Sequence, residues 1–418
     1  DKNSTHKATW TPDIPTRGEY AVYVSYHTLP TSTTKAQYSV FHLGGETKFW
    51  VNQKMGGKTW IYLGTFLFEK GINESCGRVE LTVPEGEKVQ TTADAVKFGG
   101  GMGTIGRRPS NNEVIETYNK LNKKRIEFNP NIDVDFQTSE TPRYLEAARY
   151  WLQWAGMPQK VYSQTQEASD YLDDLYCRPL WVNYLNFGSE NMPDSLGLGI
   201  PIDASLAFHT DAGVSQSDSI IGSLGIFSAK SNNETFAKGQ SRFASRDLSD
   251  LVLNELHKTI TQQFDTAWAI RGLWNKSYVE SQISQVPTML LELLSHQNPL
   301  DVRYALDPNF QFAAARAIYK GLLKFFSAQY NKKYVPQPLP VNNFSVEIAS
   351  KNQFKLSWSP TFDFLENDSV KPTSYVVYTR KENGSFDNGF LTKDTSVLIN
   401  CNLNTLYSFK ITAVNDGG

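Results

Sequence analysis

The middle of the chain is organised around the stretch VPTMLLELLSHQN, residues 286–298. After Pro287, the segment from Met289 to Leu291 is wholly apolar, as expected of a short strand that is buried on both faces of a sheet. A lone carboxylate, Glu292, follows this run, and burial there would raise its pKa toward that of a useful general base. The stretch therefore predicts a buried strand that carries a candidate catalytic carboxylate, with His296 four residues further on.

A second motif is SLAFHTDA, residues 205–212. Ala204 to Phe208 is a strand candidate that ends at His209, and a His that leaves a strand into a polar, small-residue loop can hold its ring in one orientation, as a metal ligand requires. His209 can equally be a hydrogen-bonded core residue, and Asp211 can orient a ligand or cap a loop. We expect both motifs at strand ends, where open α/β sheets bind their ligands.

Helical patterns surround the two motifs. The apolar residues of segment 248–260 repeat at steps of three and four, and Asp307-Pro308 opens a further helix with a cap and a first-turn Pro. Leu145 to Ala155 predicts a helix that stops at Gly156, and Val161-Tyr162 is a strand candidate. Residues 105–335 therefore form a predicted α/β domain, in which 105–140 is linker-like with one short helix at about 113–124.

Alternating segments flank this domain on both sides. Residues 1–104 contain six short stretches of period-two alternation separated by Gly- and Pro-containing turns, which predicts an antiparallel β-sandwich. Pro336, Pro338 and Pro340 make a stiff linker, and alternation then returns in residues 341–418. The chain is thus predicted to be multidomain, with a sandwich at each end.

Composition excludes several classes of protein. The chain has 41 Lys and Arg against 43 Asp and Glu, with no long run of one sign, so a nucleic-acid partner is not expected. No stretch reaches the roughly 18 apolar residues that a transmembrane helix needs. Three distant cysteines supply neither a disulfide framework nor a zinc ribbon. The oligomeric state cannot be predicted.

The two central motifs resemble the second half of the zinc-dependent N-acetylmuramoyl-L-alanine amidases. The resemblance covers about residues 142–330 and includes the strand that ends in His209, the triplet Arg271-Gly272-Leu273, and Pro-x-x-Leu-x-Glu followed by Ser-x-x-Asn-x-x-Asp. It implies a zinc ion held by two His and one Glu, whose bound water attacks the lactyl amide between muramic acid and L-Ala. By this resemblance His209 is a zinc ligand, and Glu292 activates water and protonates the leaving amine.

The sequence also departs from the amidase pattern. No Gly-His-Gly loop supplies the first zinc His, and we expect the missing ligands to precede Asp1. Glu146 and Glu140, near the start of a helix, are the candidates within this chain for the Glu ligand. Asp211 and His296 are expected to line the cleft or to orient a ligand.

The flanking modules also carry resemblances. Residues 1–104 resemble the golvesin C-terminal-like domain of proteins often labelled xanthan lyase, through segments such as Gly18 to Val24 and Ala93 to Phe98. Residues 341–418 resemble a fibronectin type III module, with Trp358 as its core residue and Tyr407 as its tyrosine corner, that lacks its last strand.

These observations predict a secreted, periplasmic or cell-surface bacterial protein that acts on peptidoglycan or another cell-surface glycan. One alternative is a carbohydrate-binding or adhesive surface protein with a non-catalytic amidase scaffold. Another is an amidase relative that cuts a different amide.

Overall fold

The computed structural model describes residues 6–83, 89–99, 141–213, 219–366, 370–402 and 404–418. The chain divides into two compact units, one made of residues 1–99 and 182–418 and the other of residues 100–181. The predicted short helix at 113–124 and the candidate ligand Glu140 lie outside the described residues. No helix in the part of the chain that the structure describes is both long and apolar enough to span a membrane.

The strands of the described chain are numbered in sequence order: β1 (Lys7–Trp10), β2 (Gly18–Ser25), β3 (Ala36–His42), β4 (Gly45–Val51), β5 (Ile61–Phe68), β6 (Arg78–Thr82), β7 (Ala95–Phe98), β8 (Ser205–Asp211), β9 (Ser223–Phe227), β10 (Ile270–Asn275), β11 (Thr288–Ser295), β12 (Asn342–Ser350), β13 (Gln353–Ser359), β14 (Ser374–Lys381), β15 (Phe390–Thr392), β16 (Ser396–Asn400) and β17 (Tyr407–Val414). The α-helices are α1 (Ala148–Trp154), α2 (Gln159–Tyr162), α3 (Asp170–Asn186), α4 (Ala244–Gln263), α5 (Val279–Ile283), α6 (Pro299–Ala305) and α7 (Pro308–Gln329).

Residues 6–99 form the predicted antiparallel sandwich. One sheet has the strand order β1-β6-β3-β4 and the other has the order β5-β2-β7, and every pairing is antiparallel. The alternating residues of β2 and β3, such as Val22, Val24, Tyr38 and Val40, point into one core between the sheets, which also contains Phe68. The six strands predicted from alternation are confirmed, whereas β1 was not predicted.

The unit of residues 100–181 is helical where it is described, and one prediction for it is wrong. Val161-Tyr162 is not a strand but part of the one-turn helix α2, in which the Val161 N–H donates to the carbonyl of Pro158 at 2.8 Å. Pro158 supplies the φ of −61° that starts this turn. Helix α1 ends before Gly156 as predicted, and Gly156 has a φ of +84°. Leu145 lies outside α1 and is exposed.

The α/β domain is built on a mixed sheet with the strand order β10-β9-β11-β8. Strands β8 and β11 are parallel to each other, as are β9 and β10, and the two pairs run in opposite directions. Consequently the carboxyl ends of β8 and β11 lie at the same edge of the sheet as the amino ends of β9 and β10.

Helices α4 and α7 cover one face of this sheet. The predicted stripe of α4 is buried in the main core together with Met289 and Leu291 of β11. The two helices approach closely at Gly321, where a Cβ atom would lie 2.6 Å from the Cα of Val252. Asp307 caps α7 as predicted, since its side chain accepts the N–H of Asn309.

Residues 341–418 form a second sandwich of two three-stranded sheets, with the orders β12-β13-β16 and β15-β14-β17. Trp358 is buried in its core against Tyr375, and the Tyr407 hydroxyl accepts the N–H of Asn402 at 3.1 Å. The predicted sandwich architecture is confirmed, although β12 and β15 were not predicted. Assignment to the fibronectin type III family stays a prediction.

The C-terminal sandwich contacts both other parts of its unit. Buried Lys320 of α7 lies 2.8 Å from Glu366 and 3.8 Å from Glu255, so a charged cluster joins the α/β domain to the sandwich. At the N-terminal sandwich, the Asn388 amide donates to the carbonyl of Glu46 at 2.6 Å, and the Arg17 guanidinium donates to a carbonyl of the loop 382–388. We call this second contact the sandwich seam.

Candidate functional site

The parallel pairing of β8 and β11 places His209 directly opposite Glu292. Side chains in register on neighbouring strands point to the same face of a sheet, so the two predicted residues become neighbours although they are far apart in sequence. β8 does not end at His209 as predicted but continues to Asp211. The site therefore lies inside the ladder, close to the carboxyl edge of the sheet.

Alternation along β11 assigns the pair to one particular face. Met289, Leu291 and Leu293 belong to the core beneath α4 and α7, whereas Leu290 belongs to a small apolar cluster on the opposite face with Leu224. Glu292 follows Leu290 at a spacing of two and lies on this second face. The face carries the short helix α5 and only a few buried apolar residues of the described chain.

Glu280 of α5 is a site residue that the sequence did not predict. Its Oε1 atom lies 3.0 Å from the Nε2 atom of His209, and the two share a hydrogen bond. The Glu280 side chain is 7% exposed and the His209 side chain 28% exposed. Because α5 is one turn long and its pattern has no apolar stripe, nothing in the local sequence marks Glu280 as a partner of His209.

Burial dominates the electrostatics of Glu292. It raises the pKa of the Glu292 carboxyl, which the neighbouring charges of Asp211 and Glu280 also raise, while His209 and Arg271 act in the opposite direction. The Oε2 atom is buried and has no hydrogen-bond partner among the described residues. A carboxylate with a raised pKa and an unused oxygen is able to accept a proton from a reacting molecule.

Arg271 brings a positive charge to the same edge. It comes from the start of β10, where a register shift separates its neighbours Ile270 and Gly272. Its guanidinium forms an ion pair with Asp211. Asp211 is therefore placed in the cluster as the ion-pair partner of Arg271.

The end of β11 is irregular. The pairing with β8 shifts between Glu292 and Ser295, and Leu294 has a φ of +66°, a region that side-chain-bearing residues seldom adopt. A bulge of this kind redirects the chain at a strand end. Beyond it, His296 is exposed and its Nδ1 atom lies 3.2 Å from the hydroxyl of Thr210, so the described contacts of His296 are with the end of β8 rather than with Glu292.

The Ser-x-x-Asn-x-x-Asp motif fixes the chain after this bulge. The carboxylate of Asp301 accepts the N–H of Ser295 at 2.8 Å and that of Ile221 at 3.0 Å. Asn298 caps α6 and donates to the carbonyl of Ser219 at 2.8 Å. The motif therefore positions the loops of the carboxyl edge and does not enter the His209–Glu292 pair.

The described residues fit part of a zinc site and do not complete one. His209 and Glu280 are adjacent, but no group of three or more His, Cys, Asp or Glu side chains suited to a metal occurs in the described ranges. Glu146 belongs to the unit of residues 100–181, and Glu140 lies outside the described part of the chain. The roles predicted for His209, Glu292, Glu146 and Glu140 stay predictions.

Comparison with known proteins identifies the first module. The family model of the Golvesin C-terminal domain matches residues 1–100. Xanthan lyase of Bacillus sp. (strain GL1) is 35% identical over 96 residues, which is 22% of this chain and 10% of that protein. The chain thus spans about a tenth of the length of this curated relative. The resemblance of the N-terminal sandwich to the golvesin domain and to xanthan lyase is confirmed.

Solved structures give matches of low overall similarity. The structure of a Paenibacillus xanthan lyase matches with 32% identity and a TM-score of 0.21, covering 22% of this chain and 9% of that one. The CwlD amidase from Clostridioides difficile, solved in complex with the GerS lipoprotein, matches with 18% identity and a TM-score of 0.28, covering 40% of this chain and 70% of that one.

Proposed function

We propose that the chain is part of a bacterial peptidoglycan hydrolase of the N-acetylmuramoyl-L-alanine amidase class, exported to the cell surface, which cleaves the lactyl amide between muramic acid and L-Ala. The observation that carries the proposal is the pairing of His209 with Glu292, whose buried Oε2 has no partner among the described residues. The resemblance of the two motifs to the amidases indicates the type of reaction, and His209 and Glu292 are residues suited to that reaction.

In this mechanism Glu292 is the residue that moves protons. Its raised pKa suits it to take a proton from a water molecule that attacks the amide carbonyl carbon. The same carboxyl then gives the proton to the amine nitrogen as the amide C–N bond breaks. Glu280 holds the His209 imidazole in one orientation through the bond to Nε2.

The proposal also assigns His209 as one zinc ligand, with the remaining ligands contributed from outside the described residues. The two sandwiches are proposed to space or hold the catalytic domain on the wall, the first as a golvesin domain and the last as a fibronectin type III module.

One observation favours the second candidate, a carbohydrate-binding surface protein on a non-catalytic amidase scaffold. In the described chain the Nε2 atom of His209 is bonded to a carboxylate of the same chain. A scaffold without metal would need such a partner to satisfy the partly buried imidazole.

The deciding experiment measures zinc and hydrolysis on the longest natural form of the protein. Elemental analysis should find stoichiometric zinc that is lost in His209→Ala. Release of peptide stems from purified peptidoglycan should fall by about 10²–10⁴-fold in Glu292→Gln, the usual contribution of a general acid–base residue. Glu347→Gln, at an exposed position of β12, is the matched control and should retain full activity.

Two outcomes decide against a peptidoglycan amidase. Absence of zinc from the natural form would favour the non-catalytic scaffold. Stoichiometric zinc without release of stems would exclude peptidoglycan as the substrate and leave another amide.

A further inference from the structure

A cavity of about 170 Å³ lies at the opposite edge of the sheet from His209 and Glu292. Asp203, two residues before β8, and Pro287, directly before β11, both line it. Glu292 is four residues along β11 from Thr288, which is about 13 Å at the rise of a β-strand. The cavity is therefore separate from the candidate catalytic site.

The cavity is lined by both apolar and polar side chains. Helix α7 and the segments before α4 and β11 contribute apolar side chains, and the ends of α3 and α7 with the loop before α4 contribute amide, hydroxyl and charged groups. The apolar residues include Phe236, Val286, Pro287, Phe325 and Phe326, and the polar ones include Asn186, Asp203, Lys238, Gln240, Gln285, Gln329 and Tyr330. Apolar side chains together with a few polar groups are typical of a site that binds a small molecule.

The lining has no net charge. Asp203 is its carboxylate and Lys238 its cation. Both are already engaged, since the Tyr330 hydroxyl bonds to Asp203 and the Lys238 ammonium donates to the carbonyl of Glu190. The cavity is therefore not built to select an anion such as phosphate, nor a cation.

The amides of the lining divide into two sets. Asn186, Asn191 and Gln285 are held in place by hydrogen bonds. The Oε1 of Gln285, for example, accepts the N–H of Ala237 at 3.2 Å, and its Nε2 donates to the carbonyl of Ile283 at 3.3 Å. Gln240 and Gln329 are exposed at the mouth. A side-chain amide offers a donor and an acceptor in one plane, which matches the acetamido group and the hydroxyls of an amino sugar.

We propose that this cavity binds one ring of an uncharged, N-acetylated sugar. Its volume is below the roughly 300–1,000 Å³ of pockets for larger ligands, so it accommodates a single ring or the end of a chain. A peptide in extended form is disfavoured, because such ligands pair with the backbone of an open strand edge and Pro287 offers no N–H. The proposal goes beyond hydrolysis and assigns the α/β domain a glycan-binding role of its own.

The test is calorimetric titration of the whole chain with tri-N-acetylchitotriose, and with acetyl-trialanine as the peptide probe. We expect saturable binding of the sugar and none of the peptide. Gln329→Ala and Gln240→Ala should each weaken sugar binding by about tenfold, the effect of one lost hydrogen bond. Gln263→Ala is the matched control, because Gln263 ends α4 as Gln329 ends α7 and is exposed but lies outside the cavity.

Three results would overturn the proposal. The first is binding of the peptide in place of the sugar, and the second is no binding of either probe at millimolar concentration. The third is sugar binding that both cavity variants leave unchanged, which would place the sugar site elsewhere in the chain. Because the measurement is equilibrium binding, its result is independent of whether the chain hydrolyses peptidoglycan.

Discussion

Replacing Glu292 with Gln should stabilise the α/β domain while removing the proposed base. Burial disfavours the charged form of the Glu292 carboxyl, whose Oε2 atom has no partner among the described residues, and Gln removes this charge while keeping the shape of the side chain. Burying a polar group without a partner costs about 1–3 kcal/mol, and more when the group is charged. The side chain is only partly buried, so solvent screens part of this cost. We therefore expect a gain at the lower end of the range, about 1 kcal/mol at neutral pH.

The gain should depend on pH in a defined direction. Burial raises the pKa of Glu292 above its ordinary value of 4.5. The contribution of its protonated carboxyl to the free energy of unfolding is therefore complete below pH 4.5 and is lost as the pH rises through the raised pKa. Wild type and Glu292→Gln should therefore have nearly equal stability at acidic pH and separate as the pH increases.

Urea unfolding followed by tryptophan fluorescence measures this difference, because Trp268 is buried in the core beneath α4. Glu280→Gln is the matched control from the same cluster. Its carboxylate is hydrogen-bonded to His209, so that substitution should lower stability by about 1 kcal/mol rather than raise it. A difference in stability between wild type and Glu292→Gln that is constant with pH, or that has the opposite sign, would refute the assignment of Glu292 as a buried carboxylate with a raised pKa.

Three further substitutions test the packing that supports the site. Lys320→Met should lower the free energy of unfolding in urea by about 3–5 kcal/mol, because it leaves Glu366 and Glu255 without their buried partner. Lys324→Met, at a position that is one-third exposed, should lower it by no more than about 1 kcal/mol. Equal losses in the two variants would contradict this account. Gly321→Ala should lower stability by about 1–3 kcal/mol by forcing α4 and α7 apart at Val252, and an unchanged unfolding midpoint would show that the helices yield without cost. Gly44→Ala would place a Cβ atom 2.5 Å from the carbonyl oxygen of Phe386 and should open the sandwich seam. Trypsin should then cleave the chain after Lys333 faster than in the wild type. In Gly18→Ala, where the nearest atom to the new Cβ is 3.6 Å away, the chain should be cleaved at the wild-type rate.

Much of the architecture could be predicted from local pattern. The apolar run of Met289 to Leu291 identified β11, and Asp307-Pro308 identified the start of α7, because burial on both faces and helix capping leave strong sequence signals. Five strands were missed: β1, β10, β12 and β15 lie at sheet edges, and the short strand β9 lies inside its sheet. An edge strand is paired on one side only, so its residues are less constrained to alternate.

The candidate site was predicted only in part, for two physical reasons. His209 and Glu292 were identified separately, but their direct opposition depends on strand register, which no local pattern specifies. Glu280 was missed because a one-turn helix shows no periodicity. The strand predicted at Val161-Tyr162 is wrong for a different reason. A β-branched residue followed by an aromatic one suggests a strand, but Pro158 begins a helical turn there.

The sandwich seam has a mechanical consequence. The Asn388 amide and the Arg17 guanidinium connect the first sandwich to the last directly, bypassing the α/β domain that lies between them in sequence. A tensile load applied to the two sandwiches would be carried first by these parallel hydrogen bonds, and the sheet that holds His209 and Glu292 would be loaded only after they rupture. The seam would in this way protect the sheet of the α/β domain from forces that pull the two sandwiches apart.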